Sequence, residues 1–239
     1  MARTTTAPPL RPNVALTVDP VVLGVEADQL HVLVVRRSSA PFAGRWAFPG
    51  GFVEPTEDLP AAARRELAEE TGLTRAVRLL EQLGAYGAPR RDPRGRVVTV
   101  VFLALVAGTP QPRAGDDAAE AVWWPVDELL ARPRVVAFDH AAILRDAVTR
   151  LRERIATAPV ATALVPREFT VGELRRVYEA VWGAPVDARN FHRKITGTPG
   201  LVEPTGKTTT RHGGRPARLY RRGRAERIQP PMAMGVSAS

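Results

Sequence analysis

Three glutamates, Glu66, Glu69 and Glu70, stand at spacings that a helix folds onto one face. With Glu66 set at zero on a 100° wheel, the other two fall about 60° to one side and about 40° to the other. Leu59, Ala62, Ala63 and Leu67 share that sector, while Arg64 and Ala68 lie opposite. Acids placed at the edge of an apolar face, rather than away from it, repel one another and resist ionising unless a hard divalent cation holds them. The expected metal donors are therefore Glu66, Glu69, Glu70 and the backbone of Gly50, with Mg2+ the natural ion and Mn2+ its substitute. Arg65 lies one turn before Glu69 and can orient it, and the pair Gly50-Gly51 allows close approach of backbone to metal or phosphate. Pro60 in the first turn and Gly72 as a left-handed cap bracket a helix of about three turns.

The spacing extends over the whole run from Gly51 to Leu73. It satisfies G-x5-E-x7-R-E-U-x-E-E-x-G-U at every fixed position, with U a bulky aliphatic residue. At average residue usage, a chance match at a given start has a probability on the order of one in 10^8 to 10^9. The pattern is the Nudix box, and the segment resembles the diphosphate-handling loop-helix-loop of that superfamily.

The elements around it read as strands. Ala15 to Val18, Gln29 to Arg37, Ala76 to Tyr86 and Arg96 to Val106 carry strand patterns, with VVLGVEAD as a further short strand or turn. Asp92, Pro93 and Gly95 form the turn of a long hairpin. A loop from Gly108 to Asp117 leads to a strand that runs into a helix start at Pro125 or Asp127. Strands on both sides of a central helix imply an α/β sandwich with a mixed sheet. Phe138 to Arg154 reads as an amphipathic helix with Asp139 as N-cap; its stripe of Ile143, Leu144, Ala147, Val148 and Leu151 could cover the sheet or a second subunit. The expected division is a disordered tail at 1–12, a first domain at 13–155, a Pro-containing linker at 156–166, a second domain at 167–227 and a disordered tail at 228–239.

Charge separates the two domains. Residues 1–166 carry a net +1 and residues 167–239 a net +8, a footprint that fits either a polyanion binder or a solvated basic end. The pattern inside favours the first. A capping box, Thr170 with Glu173, opens a helix to Trp182; Gly183-Ala184-Pro185 breaks it; Asp187 caps a second helix. In that second helix Phe191 and Ile195 point inward and Arg189, Asn190, Arg193 and Lys194 outward, the residue types that contact base edges. LVEPTGKTTT and RLYRR then form a two-stranded ribbon, giving a winged helix-turn-helix. The chain has no cysteine, so disulfides, thiolate metal sites and cysteine nucleophiles are excluded. It has neither an apolar run of about 20 residues nor a hydrophobic signal core, and a cytoplasmic protein is expected.

Together these segments are similar to the Nudix-related transcriptional regulators, the NrtR family, over nearly the whole chain. The resemblance implies a homodimeric repressor of NAD-metabolism genes that binds a palindromic double-stranded operator and is released by ADP-ribose or a related nucleotide diphosphate. Glu66, Glu69 and Glu70 correspond to the family's metal-ligand acids and Arg65 to its orienting arginine; Lys207, Arg211, Arg215 and Arg218 fall on the wing. Gly51, Trp46 and Phe48 are further ligand-site candidates, the two aromatics as adenine platforms or as core. Many of these regulators have a degraded box, whereas every position is filled here. The rival reading is thus an active Mg2+-dependent ADP-ribose pyrophosphatase releasing AMP and ribose 5-phosphate, with Glu69, Glu70 and Glu120 or Asp117 as catalytic acids and bases. Pro89 lies where ADP-ribose hydrolases often place a proline.

Overall fold

The computed structural model describes residues 13–113, 118–211 and 216–233. Asp117 and Arg215 lie outside the described residues. β1 (Ala15–Glu26) is the central strand of a seven-stranded mixed sheet. It pairs parallel with β6 (Val97–Val106) and antiparallel with β2 (Gln29–Arg37) and β4 (Gly51–Phe52). β5 (Val77–Tyr86) extends the sheet beyond β6, while β3 (Trp46–Ala47) and β7 (Ala118–Pro125) both pair with β2. β1 runs unbroken through Pro20, where a break was expected. Between Val18, the last partner of β4, and Leu23, the first partner of β2, its second edge carries no strand. A residue without an N–H is therefore tolerated in the middle of the sheet.

Alternation along the strands builds the two outer layers. Val22, Leu33, Ala104 and Val106 face α1 (Leu59–Thr71), where Leu67 and Leu73 close the cluster. Their neighbours Val21, Leu23, Val32, Val34, Leu103 and Leu105 face the other side. That side is covered by α3 (His140–Thr157), through Ile143, Leu144, Ala147, Val148, Leu151 and Ile155. The stripe on this helix thus covers the sheet. A short α2 (Val126–Leu130) follows β7.

The second domain comprises α4 (Val171–Trp182), α5 (Ala188–Gly197) and a ribbon of β8 (Val202–Thr209) with β9 (Ala217–Arg222). The capping box forms: Glu173 N–H donates to Thr170 Oγ1 at 3.1 Å and Thr170 N–H to the Glu173 carboxylate at 2.6 Å. Asp187 caps α5 through the Asn190 N–H at 2.7 Å. The architecture is an α/β/α sandwich on a mixed sheet, followed by a winged helix-turn-helix. Among the described residues no helix is long and apolar enough to cross a membrane.

Two expected boundaries differ. The segment 156–166 does not form an exposed linker: a 3-10 turn at Pro159–Ala163 and the following Leu164 and Val165 are buried in the same core as α3 and α4. Small apolar residues, read as a tether, pack there because both domains bury them. Within the expected tail at 228–239, Ile228 and Met232 are buried, and their N–H groups donate to Thr157 and Ala156 carbonyls at 2.8 Å each. These bonds satisfy two carbonyls at the C-terminal end of α3. Ile228→Ala is expected to lower stability by about 2–5 kcal/mol in urea unfolding; a change below about 0.5 kcal/mol would show that the segment adds nothing to the core.

Candidate functional site

α1 forms as its sequence requires. Asp58 accepts from Ala61 N–H at 2.8 Å, and Gly72 ends the helix in the left-handed region with its N–H on the Ala68 carbonyl. The helix carries Arg65 into a hub of acceptors. The guanidinium donates to Glu57 at 2.6 and 3.0 Å, Glu66 at 2.8 Å, Glu69 at 3.1 Å and the Phe52 carbonyl at 3.0 Å. It thereby ties the helix to β4 and to the preceding loop. These carboxylates hold the Arg65 pKa above its ordinary value, and the bonds from Arg65 keep that of Glu57 low.

Glu66 is buried, and burial raises its pKa despite the opposing Arg65. It fits only because Gly51 has no side chain: a Cβ there would stand 2.3 Å from Glu66 Oε1. Glu70 turns to the adjacent backbone and accepts from Gly50 N–H at 3.0 Å. Gly50 has φ 153°, and a Cβ on it would meet the Val18 carbonyl oxygen at 2.3 Å.

The expected convergence of Glu66, Glu69 and Glu70 is not found. No group of three or more acidic, histidine or cysteine side chains among the described residues could hold one metal ion. The cause is the pairing itself: Arg65 neutralises Glu66 and Glu69, and Glu70 is drawn to Gly50. The donors, all oxygens with one desolvated carboxylate among them, suit a hard cation by type. Glu120 lies elsewhere. It stands opposite Arg36 across β2 and β7, 3.9 Å from that guanidinium, with both side chains about half exposed.

Beside Gly50 and Gly51 a cavity of about 120 Å³ opens, and most of its charged lining was not anticipated. Arg37 comes from the end of β2, Arg91, Asp92 and Arg94 from the turn between β5 and β6, and Phe138 and His140 from the start of α3. The turn is folded inward. Arg91 is buried and donates twice to Asp139, at 2.8 and 3.0 Å. Asp139 therefore sits at the N-cap position of α3 without making a side-chain cap. Asp92 holds Arg94 at 2.6 to 3.2 Å. Burial lowers the Arg37 pKa and the charge of Arg94 lowers it further, while Asp92, Glu70 and Asp19 oppose that shift.

The aromatic residues rearrange the expected platforms. Phe48 is buried, its ring stacked on His140 with centroids 4.6 Å apart, and Trp46 packs edge-on against Trp124 at 5.4 Å, outside the cavity lining. The exposed ring at the cavity is Phe52, half accessible, with Arg94 5.2 Å above it. Pro89 is exposed and outside the lining. Only tertiary contact could have placed Arg37, Arg91, Arg94 and His140 here, since the turn residues read correctly as a turn.

On the second domain, Arg189, Asn190 and Arg193 are exposed on α5, with Arg193 donating to Asn190 Oδ1 at 2.8 Å. Phe191 and Ile195 are buried as expected. Lys194 departs from the expected outward face: it is half-buried and donates to the Pro230 carbonyl of the returning C-terminal segment. Lys207 pairs with Glu168 at 2.9 Å and Arg211 with Glu173, while Arg218 is exposed.

His140 supplies a pH test. Its Nδ1 accepts from Phe48 N–H at 3.0 Å, which leaves the ring proton on Nε2, 3.7 Å from Asp19. Burial lowers its pKa and keeps the ring neutral in the folded protein. The unfolded chain protonates it below about 6.5, so this contribution is present above that pH and is lost as the pH falls through it. Urea unfolding from pH 7.5 to 5.5 should show falling stability, with a shallower fall in His140→Gln. An identical slope in the variant would assign the effect to other groups.

Comparison with known proteins places these features together. A NUDIX domain model matches residues 16–147 and an NrtR DNA-binding winged helix domain model residues 161–222. The ADPR responsive transcriptional repressor NtrR of Acinetobacter baylyi is 34% identical over 88% of this chain and 82% of its own length. Shewanella oneidensis NrtR, solved in complex with a 27mer DNA, superposes with a TM-score of 0.78 at 32% identity, covering 91% of this chain and 99% of that one. The NUDIX domain of the same Shewanella oneidensis protein, solved with ADP ribose, gives a TM-score of 0.55 at 34% identity over 63% of this chain and 99% of its own. The chain belongs to the NrtR family, in which a Nudix domain is joined to a DNA-binding winged helix.

Proposed function

We propose that this protein is a DNA-binding transcriptional repressor of NAD-metabolism genes that senses ADP-ribose, or a closely related nucleotide diphosphate, through its Nudix cavity. The observation that carries the reading is the course of α3. It starts with His140 in the lining of the arginine-rich cavity and ends against the winged helix, where Tyr178 donates to the Ile155 carbonyl at 2.8 Å. Eighteen residues of helix span about 27 Å at about 1.5 Å each. Events at the cavity are therefore mechanically connected to the domain that carries α5.

The cavity's volume suits a phosphate group rather than a whole nucleotide. The diphosphate would lie against Arg37 and Arg94, with the base outside, over the exposed face of Phe52. Glu66, Glu69, Glu70 and the Gly50 carbonyl are the groups that would hold Mg2+ beside it. The cation would neutralise diphosphate charge. Arg65 has to release Glu66 and Glu69 for that. Arg189, Asn190 and Arg193 would enter the major groove, and Arg218 would touch phosphate on the wing. Lys207 and Arg211, already held by Glu168 and Glu173, would exchange those partners for DNA. A homodimer on a palindromic operator follows the usual two-fold logic of such readers.

Release requires the ligand to favour the DNA-incompetent arrangement, and tenfold release needs about 1.4 kcal/mol of differential affinity. Fluorescence anisotropy with a duplex from the protein's own promoter tests the reading. ADP-ribose should weaken binding at least tenfold, Arg193→Ala should cost about 1–3 kcal/mol of DNA affinity, and Arg94→Ala should keep DNA binding but lose the response. Unchanged retention of DNA at saturating ADP-ribose would remove the sensing role.

A further inference from the structure

A larger cleft, of about 810 Å³, lies between the two domains and is separate from the Nudix cavity. Its charged lining is five arginines and one carboxylate. Arg75 and Arg78 come from the first domain, Arg167 from the start of the second, and Arg221 and Arg222 from β9. The carboxylate, Glu168, is already taken by Lys207 at 2.9 Å. Arg221 is paired with Glu203 at 3.0 Å, and Arg78 donates to the Val165 carbonyl. Among the described residues, Arg75, Arg167 and Arg222 have no carboxylate within salt-bridge distance, and all three are exposed. Like charges therefore face one another with little internal compensation. Burial lowers the Arg78 pKa, and the neighbouring charge of Arg167 lowers it further.

We propose that this interdomain cleft is a second ligand site, for a small molecule carrying two or more linked phosphates. Guanidinium groups from three parts of the chain surround one concave volume, which falls in the range of small-ligand sites. Clustered phosphates match such an array because each can take bidentate contacts from an arginine. The lining includes no residue of α5 and none of Lys207, Arg211 or Arg218, so the cleft lies off the face that carries the exposed recognition side chains. This argues against a duplex as its occupant. A ligand seated there touches both domains at once and so bears on their arrangement.

Calorimetric titration of the full-length protein with inorganic triphosphate, and in parallel with ATP, tests the site. Wild-type protein should bind triphosphate saturably. The pair Arg167→Ala/Arg222→Ala, exposed side chains whose loss should leave far-UV circular dichroism unchanged, should weaken binding at least tenfold. Arg94→Ala, in the Nudix cavity, should change it less than twofold, which separates this proposal from the sensing role above. Equal affinity for triphosphate and ATP would mean that the phosphate chain alone is read, and tighter ATP that a nucleoside adds contacts; either supports the site. The proposal is overturned if triphosphate does not bind saturably, if Arg94→Ala rather than the arginine pair removes binding, or if the arginine pair weakens ligand-free duplex binding tenfold, which would make the cleft a path for DNA phosphates.

Discussion

The seam between α3 and α4 constrains everything else in the molecule. Tyr178 is almost wholly buried and donates its hydroxyl to the Ile155 carbonyl. Trp182 donates to the Arg152 carbonyl at 3.3 Å, and Arg152 returns a bond to the Val181 carbonyl at 2.8 Å. Around these bonds a single apolar cluster runs from the sheet, through α3 and residues 158–165, into α4, α5 and the ribbon. Each buried aliphatic side chain in such a cluster contributes roughly 1.5–3 kcal/mol of transfer free energy. The two domains are thus halves of one packed body, and a ligand in one half can act on the other only by shifting that packing.

Charge is arranged around this frame in two different ways. At the Nudix helix, one arginine serves several acceptors, and Glu57, Glu66 and Glu69 all bond to it. At the cavity next to it three arginines, Arg37, Arg91 and Arg94, share the lining with Asp19 and Asp92, and Arg91 and Arg94 are each held by a carboxylate. In the proposed function, a diphosphate there and Mg2+ at the acids would reinforce each other, because they carry opposite charges. Two aromatic residues line that cavity, Phe48 stacked on His140 and Phe138 beneath Arg37.

Periodicity made much of this fold legible. The β-branched apolar runs in Gln29–Arg37 and Val97–Val106, the Pro60 and Gly72 brackets of α1, and the capping box at Thr170 are local signals, and each names its own element. The box acids were legible as a set because their spacing fixes a helical face. Spacing also set Arg65 against Glu69, as found, but not its bonds to Glu57 and Phe52, which the chain brings up from outside the helix. The cavity was hidden for the same reason. Arg91 meets Asp139 across 48 positions, and a turn rich in Asp, Pro and Gly reads as solvent-facing until that partner is known. Segment 156–166 shows the converse error: alanines and prolines resemble a tether, yet small side chains also allow two domains to approach closely. The strand read as ending at Val18 runs on through Pro20, because the second edge of β1 is unpaired there.

One shared apolar cluster should make the two domains unfold as one body. Pulsed hydrogen exchange with mass spectrometry across a urea series reports each domain separately, through peptides from β1, β6 and α3 on one side and α4 and α5 on the other. Shared packing predicts that both sets lose protection at the same urea concentration. Loss of protection in α4 and α5 at clearly lower urea, with the sheet still protected, would contradict it.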